Sequence, residues 1–175
     1  MTEKITELIS NGDIMHRITE LADEINRDYT DEEVSLVCIL KGGVFFMIEL
    51  AKRLSVDVKL DFMDISSYGE GMVSSGNIKI NMDLENSVEG KNVILVEDII
   101  DTGRTLSHTV AHLRSQSPKS LKVCTLLDKP DRRVVEDVTP EYVGFIIPDK
   151  FVVGFGLDYA QRYRNLPYIG VLSFE

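Results

Sequence analysis

Apolar residues along the chain follow two periods. Ile14, Ile18, Leu21, Ala22, Ile25 and Tyr29 recur at helical spacing and predict a helix capped by Asn11 or Asp13. Val34 to Leu40 is a short apolar run rich in β-branched residues, as a buried strand would be, and Gly42-Gly43 breaks it. Val44 to Leu54 reads as a helix. Val56 to Ile65 and Ile78 to Leu84 alternate apolar and polar residues, which predicts strands with one solvated face. Asn92 to Val96, Leu121 to Leu127, Tyr142 to Ile147 and Ile169 to Leu172 read as further strands, and Thr105 to Arg114 as a helix. Between two of the strands, SSYGEGMVSSGN (residues 66–77) holds three glycines and four serines, a long loop of the kind that is usually a functional lid or disordered.

Apolar strands alternating with helices imply an α/β fold, a mostly parallel twisted sheet flanked by helices. Ligands of such folds bind beyond the carboxyl ends of the strands, so the junctions after Leu40, Val96 and Leu127 are the places to search. At 175 residues the chain is expected to form a single domain, large enough to fold without disulfides or a structural metal.

Composition narrows the picture. Both cysteines, Cys38 and Cys124, lie inside apolar runs, where cysteine serves as a small hydrophobe; this favours a cytoplasmic protein without a disulfide framework. No secretory signal is expected at MTEKITELISNGD, and no apolar run approaches the ~18 residues needed to cross a bilayer. With 29 acidic against 19 basic residues, the net charge of −10 argues against a nucleic-acid partner, although Lys119, Lys122, Arg132 and Arg133 could form a local basic face. The same charge stands against any anionic substrate unless the anion is handled locally.

The chemistry concentrates in VILVEDIIDTGRTL, residues 93–106. A buried strand runs into Glu97 and Asp98, Asp101 follows, and Thr102-Gly103-Arg104-Thr105 opens a helix. Gly103 permits a tight turn. Amides entering a helix N-terminus, with the Thr102 and Thr105 hydroxyls, form a cradle for a phosphate monoester. Paired acids at a strand end can accept hydrogen bonds from a vicinal diol such as ribose, or stand near a hydrated magnesium ion. Neither a Walker loop nor a dinucleotide-binding glycine loop occurs. His108 and His112 have a zinc-compatible spacing but no evident third ligand, so they read as helix-surface residues.

This segment resembles the phosphoribosyl-diphosphate (PRPP) motif of type I phosphoribosyltransferases, in the form found in the hypoxanthine-guanine branch. The resemblance runs from about Ile9 to Phe174 and includes LKGG (40–43), Ser67-Tyr68, LLDKP (126–130) and PDKFVVGFGLDYAQRYRNLP (148–167). It implies the family fold, with a small hood formed by terminal segments, a mobile loop at about 66–77 and a purine-binding hood at about 148–175. It also implies the roles of individual residues. Glu97 and Asp98 would hold the ribose hydroxyls, and with Asp158 they would lie near magnesium. Asp101 would be the general base toward the imidazole ring of the purine. Asp101, Thr102, Gly103, Arg104 and Thr105 would hold the 5-phosphate; Lys41, Gly42 and Arg164 would meet the diphosphate, with the peptide between Lys41 and Gly42 able to be cis. Lys129 would donate to the 6-oxo group, Phe151 would stack on the base, and Lys150, Val152 and Asp158 would contact it. Ser67 and Tyr68 would close over the reaction centre.

The implied activity is Mg2+-dependent transfer of phosphoribosyl from PRPP to hypoxanthine or guanine, by a homo-oligomer (a dimer or tetramer). A PRPP-sensing regulator that binds nucleic acid, and a transferase for another base such as xanthine, remain as alternatives.

Overall fold

The computed structural model describes residues 2–67 and 78–175. Its main sheet has six strands in the order β4-β3-β2-β5-β6-β7: β2 (Glu33–Leu40), β3 (Asp57–Ser67), β4 (Ile78–Met82), β5 (Asn92–Ile100), β6 (Ser120–Asp128) and β7 (Tyr142–Ile146). All pairs are parallel except β3 with β4. Helices α1 (Asn11–Asp28), α2 (Val44–Ala51) and α3 (Arg104–Arg114) cover the faces.

The period-2 geometry of a strand sorts the central residues into two cores. Val34, Leu36 and Cys38 of β2 and Ile94 and Val96 of β5 pack with the α1 face Ile14, Ile18, Leu21 and Ile25 and with Phe46, Met47 and Leu50 of α2. The intervening Val37, Ile39, Val93 and Leu95 pack on the other side with Leu106, Val110 and Leu113 of α3. Strands buried on both faces therefore read as unbroken apolar runs. Burial pushes the Cys38 thiol up to about 12 and raises that of Cys124, so both cysteines are hydrophobes here rather than reactive groups.

A second, antiparallel sheet joins the two ends of the chain in the order β1-β9-β8, from β1 (Glu3–Ile9), β9 (Ile169–Phe174) and β8 (Val152–Val153). The hydrophobic pattern predicts neither β1 nor β8. Only Ile9 of β1 is buried, so its alternation is faint, and β8 is two residues long. The cap of α1 is Ser10, whose Oγ accepts from the N–H of Asp13 at 3.1 Å; Asn11 and Asp13 already lie in the first turn. The cis peptide is Leu40–Lys41, one residue before the expected position. β5 runs on to Ile100 instead of ending at Val96, because β6 stays alongside and pairs with Glu97, Ile99 and Ile100. Among the described residues, no helix is long and apolar enough to cross a membrane.

Candidate active site

β2 and β5 are neighbours, but the chain leaves β2 toward β3 and leaves β5 toward β6. Such a switch point opens a crevice beyond the carboxyl ends of the two strands. Lys41-Gly42-Gly43 lies at one lip and Glu97-Asp98 at the other.

Glu97 and Asp98 are adjacent on β5, and both line the cleft beyond the strand. Glu97 is 6% exposed. Burial, and then the Asp98 charge, push its carboxyl well above the ordinary range. Burial also raises Asp98 to about 6, against the N–H of Ile99, which donates to Oδ1 at 2.7 Å, and the Arg164 guanidinium, which favours the ionised form. Gly42 backs directly onto Asp98: a Cβ there would stand 1.7 Å from Oδ2. Gly156 packs in turn on the Gly42 backbone, where its own Cβ would meet the Gly42 carbonyl oxygen at 2.1 Å. This contact brings the segment around Gly156 to the crevice. Arg164 donates to the Gly156 carbonyl at 2.7 Å and pairs with Asp158 at 2.9 Å. Asp158 also accepts from the N–H of Gln161, whose Oε1 is 3.5 Å from the Lys41 ammonium.

Beyond β5 the chain makes the 101–105 turn. Gly103 has φ of +84°, and a Cβ would meet the Val135 carbonyl oxygen at 2.5 Å, so both conformation and space require glycine. α3 starts at the next residue, and its first N–H groups have no partner inside the helix. They border a cleft of about 220 Å³ lined in part by Glu97, Asp98, Asp101, Thr102, Gly103 and Thr105. Arg104 is exposed.

A second segment latches onto this turn. The Thr102 carbonyl accepts from the N–H groups of Val134 and Val135, at 2.9 and 3.1 Å. Arg133, with a side chain only 11% exposed, pairs with Asp128 and donates to the Asp101 carbonyl at 3.3 Å. Arg132 sits 3.2 Å from the Asp101 carboxylate and 3.8 Å from that of Asp149. Lys129, 6% exposed, is tied to β5 by its N–H, which donates to the Ile100 carbonyl at 3.0 Å. Phe151 presents a half-exposed ring, Val152 is buried in β8, and Lys150 is exposed.

The structure thus gathers Gly42, Glu97, Asp98, Asp158 and Arg164 on one side, and Asp101, Thr102, Gly103 and Thr105 on the other. Lys129, Phe151 and Val152 do not line the cleft; their region is linked to it by the Lys129 N–H on the Ile100 carbonyl and by Arg132, between Asp101 and Asp149. Of the loop expected at 66–77, residues 66 and 67 end β3, and residues 68–77, Tyr68 among them, lie outside the described residues, as does the side chain of Ser67. The sequence reading missed Arg133, Asp128, Gln161, Asp149 and Gly156. Arg132 and Arg133 stood out only as part of a basic face, and that face is neutralised. Lys119 pairs with Glu32 at 2.6 Å, Lys122 with Asp28 at 2.9 Å, Arg132 with Asp101 and Arg133 with Asp128. His112 contacts Asp83 at 2.8 Å, an ordinary helix-surface pair.

Among the described residues, no three Asp, Glu, His or Cys side chains converge as a metal-ligand group. Glu97, Asp98 and Asp158 therefore do not form a ready-made set, and Arg164 occupies Asp158. A pair of adjacent carboxylates, one buried and one partly so, whose charged forms are disfavoured is nevertheless a hard-oxygen site that a cation would relieve. Mg2+, which commonly uses one or two carboxylates with water and substrate oxygens, fits it.

The phosphoribosyl transferase domain family matches residues 4–160. The chain is 50% identical to a hypoxanthine-guanine phosphoribosyltransferase of Bacillus subtilis, over 95% of this chain and 92% of that protein. It is 49% identical to a hypoxanthine phosphoribosyltransferase of Salmonella typhimurium, over 97% and 96%. A bifunctional protein TilS/HprT of Listeria monocytogenes is 52% identical over 96% of this chain, which spans only 26% of that protein. A crystal structure of a hypoxanthine-guanine phosphoribosyltransferase from Bacillus anthracis superposes with a TM-score of 0.92 at 44% identity, covering 99% of this chain and all of that one.

Proposed function

Because the chain belongs to the phosphoribosyltransferase family, we propose that it transfers the 5-phosphoribosyl group of PRPP to hypoxanthine or guanine, giving the nucleotide and diphosphate. The observation that carries this reading is the Glu97–Asp98 pair at the switch point, backed by Gly42 and followed by the 101–105 turn. Diol acceptors and a phosphate cradle side by side suit a ribose phosphate.

In this reading the 5-phosphate sits on the turn amides, with the Thr102 and Thr105 hydroxyls. Glu97 and Asp98 accept from the ribose hydroxyls. Lys41, Gly42 and Arg164 face the diphosphate, and Arg164 is preorganised by the Gly156 carbonyl and Asp158. Magnesium, held by Glu97 and Asp98 together with substrate oxygens, would supply charge stabilisation for the diphosphate. The bond from ribose carbon one to the diphosphate oxygen breaks as a bond to a purine ring nitrogen forms, through an oxocarbenium-like state. Asp101 accepts the proton lost from the imidazole ring of the base. To do so it must exchange its contact with Arg132, a half-exposed pair worth little in water. Lys129 donates to the 6-oxo group and thereby disfavours a 6-amino base. Phe151 stacks on the purine, with Lys150, Val152 and Asp158 around it, and Ser67 and Tyr68 close over the centre. The reading includes a cytoplasmic setting and a homo-oligomer. For the oligomer, Phe45 and Ile48, three apart on α2, present exposed apolar side chains.

The test is to mix the chain with PRPP, Mg2+ and hypoxanthine or guanine and to look for inosine or guanosine monophosphate. Absence of product with both bases rejects the proposal, and would leave a PRPP-binding regulator as the better reading. Asp101→Asn is expected to lower turnover far more than PRPP affinity; unchanged turnover rejects Asp101 as the base.

A further inference from the structure

The half-exposed Phe151 ring is backed by a ladder of aromatic side chains. Tyr159 meets it edge-to-face, with ring centroids 5.9 Å apart and planes at 88°. Phe174 meets Tyr159 in the same way at 5.5 Å and 64°. The Arg162 guanidinium lies 5.8 Å from the Tyr159 centroid and 5.1 Å from that of Tyr163. This group is fastened to the first strand, since Arg162 and the Tyr163 hydroxyl both bond the Glu3 carboxylate. Phe174 stands opposite Glu3 in the β1–β9 register. Tyr159 also follows Asp158, the partner of Arg164, so one short segment touches both the diphosphate arginine and the ring expected to stack on the base.

We propose that Tyr159 is a positioning residue for purine binding: its edge contact fixes the plane of Phe151, and Phe174 holds Tyr159 in turn. The inference rests on the stacking role given to Phe151 above. A half-exposed phenyl ring with no side support samples several orientations, and a base can stack on only one of them. An edge-to-face neighbour removes that freedom before the base arrives. The lost contact is worth about 3- to 10-fold in affinity for the base. PRPP binding, which does not use the Phe151 face, is left unchanged.

The experiment is steady-state kinetics with hypoxanthine and PRPP on Phe151→Ala, Tyr159→Leu, Tyr159→Phe and Phe174→Leu, with circular dichroism as a folding control. The expected result is a KM for hypoxanthine raised about 3- to 10-fold in Tyr159→Leu, with the KM for PRPP and kcat within about twofold of the unsubstituted protein. Tyr159→Phe, which keeps the ring, should restore hypoxanthine KM. Phe174→Leu should move it in the same direction by less, and serves as the second probe if Tyr159→Leu folds poorly. The proposal is overturned if Tyr159→Leu leaves hypoxanthine KM unchanged while Phe151→Ala raises it. It is equally overturned if Tyr159→Leu alters both KM values and kcat together, or if Tyr159→Phe behaves like Tyr159→Leu. If Phe151→Ala itself leaves hypoxanthine KM unchanged, the stacking role is what fails, and the positioning role falls with it.

Discussion

Asp98→Asn should stabilise the metal-free protein while abolishing its activity. The substitution keeps the shape of the side chain and the oxygen that accepts the Ile99 N–H, and removes only the charge. In the folded chain Asp98 is raised from its ordinary 3.8 to about 6, chiefly by burial. That difference corresponds to on the order of 2–3 kcal/mol, allowing for the partial exposure of the carboxylate. The sign follows from proton linkage. Between pH 3.8 and about 6 the folded chain holds a proton that the unfolded chain has lost, so stability falls as pH rises through this window. Below the window the penalty is absent, and above it the penalty is fully expressed. Removing the Asp98 charge also relieves the Glu97 carboxyl, which that charge disfavours. At pH 7.5 in EDTA, Asp98→Asn should therefore melt roughly 4–10 °C above the unsubstituted protein, with the gap closing toward pH 4.5. Urea unfolding across this pH range measures the same difference. A variant that is less stable at pH 7.5, or a gap that does not shrink on acidification, would refute the claim that Asp98 is held at a cost. Added Mg2+ and PRPP should stabilise the unsubstituted protein and not the variant.

Three further outcomes are expected. Gly42→Ala places a Cβ 1.7 Å from Asp98 Oδ2, so the carboxylate must move; kcat/KM for PRPP should fall on the order of 100-fold, and a loss below about threefold would show the contact to be dispensable. Lys129→Met should lower kcat/KM for hypoxanthine by about 10- to 100-fold through loss of a charged donor, with the KM for PRPP unchanged; an equal effect on PRPP would reject its role at the base. Chelation of divalent metal should bring turnover to background, with recovery on adding Mg2+; activity that persists in excess EDTA would remove the metal from the reading.

The parts of this molecule legible in the sequence are those where local pattern and tertiary environment agree. β2 and β5 are buried on both faces, so their apolar runs announce them. The 101–105 turn is legible because glycine at +84° and a helix start leave a local signature. What was not legible depends on partners distant in the chain. β1 is recognisable only beside β9. The extension of β5 through Glu97 and Asp98 depends on β6 staying in register, although two acids read locally as the end of a strand. Arg133 looks like any loop arginine until Asp128 and the Asp101 carbonyl converge on it. The use of Gly156 depends on Gly42, more than a hundred residues earlier. In each case the missing information is a long-range contact rather than a propensity.

At a net charge of −10, the chain meets an anionic substrate with three arginines of the site region already paired. Arg164 is held by Asp158, Arg132 by Asp101 and Arg133 by Asp128. Each of these arginines therefore has much of its field already compensated, and a phosphate gains little from simple approach to them. Glu97 and Asp98 differ from these acids: they are adjacent, Glu97 buried and Asp98 partly so, and both are disfavoured in their charged forms. An anion arriving alone would add to that repulsion. A divalent cation would relieve it: Glu97 and Asp98 would hold the cation, which would supply the positive charge that a diphosphate calls for. Affinity for a diphosphate ester should then be conditional on metal to a degree that an open basic pocket would not show. The Asp98 charge expected to destabilise the metal-free protein is the same charge that a bound cation would offset.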